Sequence, residues 1–396
     1  ANLVASHDAK KAEDVLAWYT NMPGKPLVAN AYQERYMPGS SFKIVTAGAA
    51  LGNHVTDMGR IFPVSKEWTP PQTNDPVQNY GGHECGGTMD EVFFKSCNIP
   101  FAQMAVELGP TRMVAATRAW GIGEKLPIDL PGAAASNFEK AGGSPIDFAS
   151  NLPLLAIGGF GQANDLMVPL QMCMIAGTVG NGGRMMTPHV VDATLDHSGN
   201  VLHRTEPSVW KTPISVDVAA QVKLMMIDVV NKGTGSNAQI PGVNVGGKTG
   251  TAQTGNGTPP HAWFVGVAPA EAPQVAVAVF EAFAESKRRY VEQLRAGTLD
   301  KPTAVDRMHQ RVMEITGRDP LPYGVEPNRQ ALQNVMDAAI AVEDTDAPGE
   351  KRRTVINSGN QSSSRIGFRG LFGISFSWKS HAPCGVSGLY GHCWYT

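Results

Sequence analysis

The chain has 396 residues, 42% apolar and 17% charged, enough to bury a large core and to build two or more structural units. A net charge of −2 leaves no electrostatic footprint for nucleic acid or an anionic membrane, and no run of about 18 apolar residues reads as a membrane span. Five cysteines fit neither a disulfide-dense scaffold nor a Cys-x-x-Cys metal site, and a start at Ala1 without a signal-peptide pattern reads as a fragment or a mature product.

In chain order, apolar spacing predicts a helix over 9–18, followed by Pro-punctuated extended chain from Pro23 to Pro26. Pro38-Gly39 then signals a turn before the apolar run 44–51, which reads as a buried helix with Ser40 in its first turn. Residues 53–89 are dense in Pro, Gly and Asn and read as loops around short strands. Thr88 and Glu91 spell a capping box for a helix running to about Ser96. Helical segments follow over 99–105, 111–120, 151–157 and 168–176, a hairpin over 192–204, and a helix over 216–230 that Lys232-Gly233 stops. Three strands over 244–252, 262–267 and 274–279, joined by short turns, make an antiparallel meander. Helices followed by consecutive strands give an α+β fold.

Ser40 and Lys43 stand at i and i+3, so they share a helix face. A lysine desolvated by the apolar run can serve as a neutral base for the Ser40 hydroxyl, and a helix N-terminus favours the developing anion. A second Ser-x-x-Lys, Ser208 to Lys211, is followed by Pro213 and lacks helical apolar spacing, so it reads as a decoy. Ser96 and Asn98 lie between two predicted helices, where Ser96 can relay a proton and Asn98 can orient Lys43. The Ser-x-Asn copies at Ser198 and Ser358 read as ordinary turns. Lys248-Thr249-Gly250-Thr251 occurs once, on a predicted strand. There Lys248 supplies a fixed positive charge, Thr249 and Thr251 can bind a carboxylate, Gly250 lets substrate backbone approach, and the backbone N–H groups of Ser40 and Thr251 can form an oxyanion hole.

Ser-x-x-Lys, Ser-x-Asn and Lys-Thr-Gly in this order resemble the signature of penicillin-recognising acyl transferases. The chain is similar to the transpeptidase domain of class B penicillin-binding proteins, above all the actinobacterial penicillin-binding protein A type. The resemblance runs from about Asn2 to Val279 and includes Gly159-Phe160-Gly161-Gln162, Pro169-Leu170-Gln171-Met172, Asn181-Gly182-Gly183 and His261-Ala262-Trp263-Phe264. It implies the penicillin-binding protein/serine β-lactamase-like fold, a central antiparallel sheet with helices on both faces and a mostly helical subdomain. It also implies a D,D-transpeptidase of cell-wall synthesis and cell division, acting on peptidoglycan stem peptides through a Ser40 acyl-enzyme that β-lactams trap. Lys248, Thr249 and Thr251 hold the terminal carboxylate in that picture, with no metal or organic cofactor. The implied setting is the extracytoplasmic face of the membrane, beside membrane-associated cell-wall synthesis proteins, although the family's anchor and pedestal are missing here.

The expected organisation is a transpeptidase domain over 1–282, a helical segment over 283–349 that departs from the family, and a disordered or non-native tail over 350–396 that does not pack on the core. Asp319 to Arg329 resembles a substrate-binding-like family related to hydroxyphthalate decarboxylases, as in a chimera. Two other functions stay open. A serine β-lactamase needs a deacylating base, for which Glu124 and Glu139 lie in the right interval without the right pattern; a β-lactam sensor or inactive scaffold binds without turnover. His83 and Cys85 offer too few ligands for a closed metal site, and His261 reads as structural. Cys85 and Cys97 are expected to bridge, bracing Ser96 and Asn98.

Overall fold

A computed structural model describes residues 9–21, 27–138, 140–141, 144–145, 148, 151–162, 165–252, 260–281, 373–377 and 393–394. Contacts divide the chain into two units, 1–28 with 285–371 and 29–284 with 372–396. In the first, the described helix is α1 (Ala9–Thr20), which matches the predicted 9–18. The second carries all the remaining described elements.

At the centre of the second unit lies α2 (Lys43–Gly52), buried from Lys43 to Leu51. A helix apolar all round must be covered on every side, and α2 is packed by α4 (Ile99–Ala119), α6 (Pro169–Gly180) and α7 (Val216–Asn231). Before α4, α3 (Met89–Phe94) starts at the Thr88–Glu91 capping box read from the sequence, with both reciprocal bonds made. The two segments expected over 99–105 and 111–120 are halves of α4, broken at Gly109 (φ 74°, ψ 163°) ahead of Pro110. Asn151 caps α5 (Leu152–Gly158) through its side chain. The loop region 53–89 holds two small antiparallel pairs, Ile61–Ser65 with Cys85–Thr88 and Glu67–Trp68 with Val77–Gln78.

The main sheet runs β1 (Gly246–Ala252), β2 (His261–Ala268), β3 (Val275–Glu281), β4 (Gly373–Ser377) and β5 (Cys393–Trp394), in that spatial order. The first three form the expected meander, with Lys248 opposite Val265 and Gly250 opposite Trp263. Val267 and Ala276 lie on the face that α6 and α7 cover: Cβ atoms added at Gly177 and Gly246 would touch Ala276 and Met226. Small residues on both sides let helix and sheet approach closely.

The reading of 350–396 as a tail that leaves the core alone is corrected at one place. Gly373–Ser377 pairs antiparallel with β3, from Val279 opposite Gly373 to Val275 opposite Ser377, and Cys393–Trp394 adds in parallel. A five-residue strand shows too little alternation to stand out in Gly/Ser-rich sequence, yet it satisfies the backbone groups along the outer edge of β3. Residues 283–349, including 319–329, lie outside the described residues, as does the Ser358 turn.

Candidate active site

Ser40 does not sit in the first turn of α2. It lies in a 3₁₀ turn, Gly39–Phe42, that runs directly into α2 at Lys43. In 3₁₀ winding, side chains at i and i+3 eclipse, which stacks the two groups more directly than an α-turn would: Lys43 Nζ is 2.9 Å from Ser40 Oγ. The turn is held by Ser41 Oγ, which donates to the Pro38 carbonyl at 2.7 Å, and by Phe42, buried and stacked on Phe138. Gly39 takes φ 53°, and a Cβ there would collide with the Thr251 carbonyl, so this position requires glycine.

Lys43 is 0% exposed, and its amine meets three further oxygens: the Ser96 carbonyl at 2.8 Å, Asn98 Oδ1 at 2.8 Å and Ser96 Oγ at 3.3 Å. Burial, with the neighbouring charge of Lys248 as a second cause, pushes its pKa well below the usual lysine range. A neutral amine has two N–H bonds and one lone pair. The two nearest acceptors that cannot donate are the Ser96 carbonyl and Asn98 Oδ1, so the hydrogens go there and the lone pair is left for the Ser40 hydroxyl. The Asn98 amide is oriented by its own Nδ2, which donates to the Gln78 carbonyl at 3.1 Å.

Ser96 holds φ 62°, a left-handed conformation that costs a non-glycine residue roughly 1–3 kcal/mol. Its surroundings impose it: Ser96 N–H donates to Phe93 O, Cys97 N–H donates to Val92 O, and Cys97 is bridged to Cys85 with Cα atoms 5.6 Å apart. The expected disulfide is therefore present, and it anchors the residue between Ser96 and Asn98 to the strand Cys85–Thr88. Cys85 is consumed in this bridge and not in a metal pair with His83.

Lys248 reaches the same hydroxyl from the opposite side, Nζ to Ser96 Oγ at 2.9 Å, with its own bond to the Thr249 carbonyl at 3.0 Å. The expectation of a fixed charge is corrected: Lys248 is 0% exposed, and burial lowers its pKa to about 7. An arriving carboxylate would draw it back to the protonated form. Ser96 Oγ thus stands between two amines and can pass a proton either way. The role expected of Gly250 is corrected too. A Cβ there would press on the Pro38 carbonyl at 2.5 Å and the Ser41 nitrogen at 2.9 Å, so the glycine admits the protein's own nucleophile turn, not substrate. This contact sets the Ser40 turn alongside Thr251.

Sequence reasoning missed several supports. Thr234 shares a 2.5 Å hydrogen bond with Thr249 Oγ1, and Gln162 Nε2 donates to the Thr251 carbonyl at 3.1 Å. Gly161 accepts from Gly39 N–H at 2.9 Å and could not carry a Cβ without striking the Gly39 carbonyl. In the sequence, Gly159–Gln162 stands out only through the family resemblance, which gives it no role of its own. Asn79, buried beside Asn98, has no signal beyond a turn-rich neighbourhood.

The decoys resolve as expected. Lys211 pairs with Glu124 at 2.7 Å, which also commits that candidate deacylating base, and Ser198-Gly199-Asn200 is a turn built on the Asp196 carboxylate. Glu139 lies outside the described residues. His261 opens β2 half-buried against Tyr36 and Phe280, and burial lowers its pKa. Among the described residues, no three His, Cys, Asp or Glu side chains gather as metal ligands.

Comparison with known proteins matches residues 3–294 to the penicillin binding protein transpeptidase domain. The chain is 32% identical over 286 residues to the peptidoglycan D,D-transpeptidase PbpA of Mycolicibacterium smegmatis, covering 70% of this chain and 56% of that protein. It is 33% identical over 285 residues to PbpA of Mycobacterium tuberculosis, with coverage of 70% and 56%. Its fold matches penicillin-binding protein A from M. tuberculosis in a penicillin G acyl-enzyme complex at a TM-score of 0.63 and 28% identity, covering 80% of this chain and 69% of that one. The chain spans just over half the length of the curated relatives.

Proposed function

Because the chain belongs to the family of penicillin binding protein transpeptidase domains, we propose that it is a peptidoglycan D,D-transpeptidase working through an acyl-enzyme on Ser40. The observation that carries this is the Lys43 amine, stripped of water and donating to two oxygens that cannot donate back, with its lone pair left for Ser40 Oγ at 2.9 Å.

In the first half-reaction, Lys43 takes the Ser40 proton as Oγ attacks the carbonyl carbon of the terminal D-Ala-D-Ala amide. The oxyanion forms between the backbone N–H groups of Ser40 and Thr251. Collapse breaks the C–N bond, the leaving amine takes a proton by way of Ser96, and an ester on Ser40 remains. In the second half, a stem-peptide amine attacks the ester, gives up its proton along the reverse route and frees Ser40. Lys248, Thr249 and Thr251 hold the substrate's terminal carboxylate, and Asn98 orients Lys43. A β-lactam follows the first half-reaction, but its leaving nitrogen stays tethered, which blocks the acceptor.

Such work belongs to the cell wall, outside the cytoplasm, on stem peptides and alongside other wall-synthesis proteins. No helix among the described residues is long and apolar enough to cross a membrane. The transpeptidase unit is assigned to 1–282, which the family match over 3–294 supports.

Intact mass after incubation with penicillin G tests the function. A lasting one-to-one adduct on Ser40 is expected; rapid hydrolysis without accumulation would make the protein a β-lactamase, and no adduct would make it a scaffold.

A further inference from the structure

We propose that Asn79 is a positioning residue for acyl transfer, which fixes the main chain of Asn98 so that the Asn98 side chain stays aimed at Lys43. The inference rests on the reading of Ser40 as the acylated serine.

Asn98 is the N-cap residue of α4, but Pro100 removes one of the two N–H groups an N-cap side chain ordinarily takes and the Asn98 backbone is already helical (φ −88°, ψ −44°), so its side chain is poorly placed for a capping bond. It makes none, and its Oδ1 faces Lys43 at 2.8 Å. The helix end is buried, so its N–H donors require another partner. Asn79 supplies one from across the loop: its Oδ1 accepts from Asn98 N–H at 2.9 Å and from Ile99 N–H at 3.2 Å.

Asn79 is held in turn. Its Nδ2 donates to the carbonyls of Ser65 at 2.9 Å and His83 at 3.2 Å, so the side chain, 5% exposed, has both acceptor sites and both donors in use. Gln78, the residue before it, takes the Asn98 amide at 3.1 Å. Residues 78–79 therefore grip Asn98 by its main chain and its side chain at once, fixing the direction of Oδ1. Without Asn79, the buried Asn98 and Ile99 N–H groups would lose their acceptor, the main chain at 98–99 would shift to find another, and Lys43 would lose the acceptor that turns its lone pair toward Ser40. The cap needs no charged side chain, since a neutral amide satisfies two donors without shifting the charge balance around Lys43.

The test is a double-mutant cycle on the rate of acylation by a fluorescent penicillin, in the full chain with its disulfide intact. Asn79→Ala is expected to slow acylation roughly 10- to 100-fold, the scale of a mispositioned catalytic group, and to add little further slowing in an Asn98→Ala background. Equal slowing in both backgrounds would mean general damage and would overturn the proposal, as would an unchanged rate in the single variant. If Asn79→Ala fails to fold, Asn79→Ser, whose shorter oxygen keeps only part of the cap, takes its place in the cycle with the same reading. The unsubstituted protein is the control that separates the two ideas: its failure to be acylated at all overturns the functional reading and this one with it, whereas normal acylation with no Asn79 effect removes only this one.

Discussion

Two stretches of this chain spell Ser-x-x-Lys and fold into opposite environments. At Ser40 the 3₁₀ turn eclipses the pair, α2 buries the lysine among helices, and the Ser96–Asn98 segment gives the amine its remaining partners. At Ser208 the lysine ends the strand Val209–Lys211, so no helical winding stacks it on the serine just before the strand. Ser208 bonds to Thr187 instead, and Lys211 stays partly in solvent, paired with Glu124 and lying over Trp210. The same four-residue spelling therefore carries no chemistry by itself. On the proposed mechanism, what activates Ser40 is winding, burial and a second segment that occupies the amine's hydrogens.

The largest contrast should come from the two serines. Ser40→Ala is expected to abolish the penicillin adduct in intact-mass spectra, while Ser208→Ala should label to completion; an adduct surviving in the first variant would place the nucleophile elsewhere. The lysines should separate next. Lys43→Ala should slow acylation by roughly 10²-fold or more, the usual scale for a lost general base. Lys211→Ala, which removes a partly exposed ion pair, should leave the rate alone and change stability by no more than about 1 kcal/mol. A comparable rate loss in both would erase the distinction.

The disulfide sharpens the comparison, because among the described residues no disulfide braces the Ser208 segment. Closing a ring of this size stabilises by about 3 kcal/mol on the chain-entropy estimate, so Cys85→Ala with Cys97→Ala should lower the urea midpoint accordingly. Alkylation of both cysteines in denatured, unreduced protein would show that the bridge is missing. The last contrast concerns Lys248. Its folded pKa of about 7 lies below the value of about 10.4 for an unfolded lysine, so across that interval the unfolded state binds the extra proton. Stability from this group therefore rises with pH from about 7 to about 10 and is flat below. Lys43 contributes in the same sense, so Lys248→Met should show a shallower rise in urea midpoint, not a level one. An unaltered slope would contradict the burial of Lys248.

The parts of this arrangement that are legible in the sequence are those with local spelling: the Thr88–Glu91 capping box, the i, i+3 pair at Ser40, and the strand meander that carries Lys248. The bridge from Cys85 to Cys97 also follows from a short, Gly-rich interval. What stays hidden depends on residues brought together from far apart. Gly250 reads as an opening for substrate because nothing in its neighbourhood announces that the Ser40 turn fills the space. Lys248 reads as a fixed charge because a strand's alternation does not reveal how completely each face is covered. Asn79 and Gln162 act on Asn98 and Thr251 through amides that any turn-rich loop contains. Gly373–Ser377 is a strand because β3 offers it an edge, and its own five residues do not say so.

The central claim is that burial keeps Lys43 neutral in the resting site, ready to take the Ser40 proton, and the pH dependence of the acylation step at saturating penicillin tests it most directly. A base must be unprotonated to accept the serine proton, so the rate should climb as pH passes the depressed Lys43 pKa and level off well below the ordinary lysine value of about 10.4. A rate that keeps rising about tenfold per pH unit up to that value would mean that Lys43 keeps an ordinary pKa and rests charged in the site, and would contradict the account.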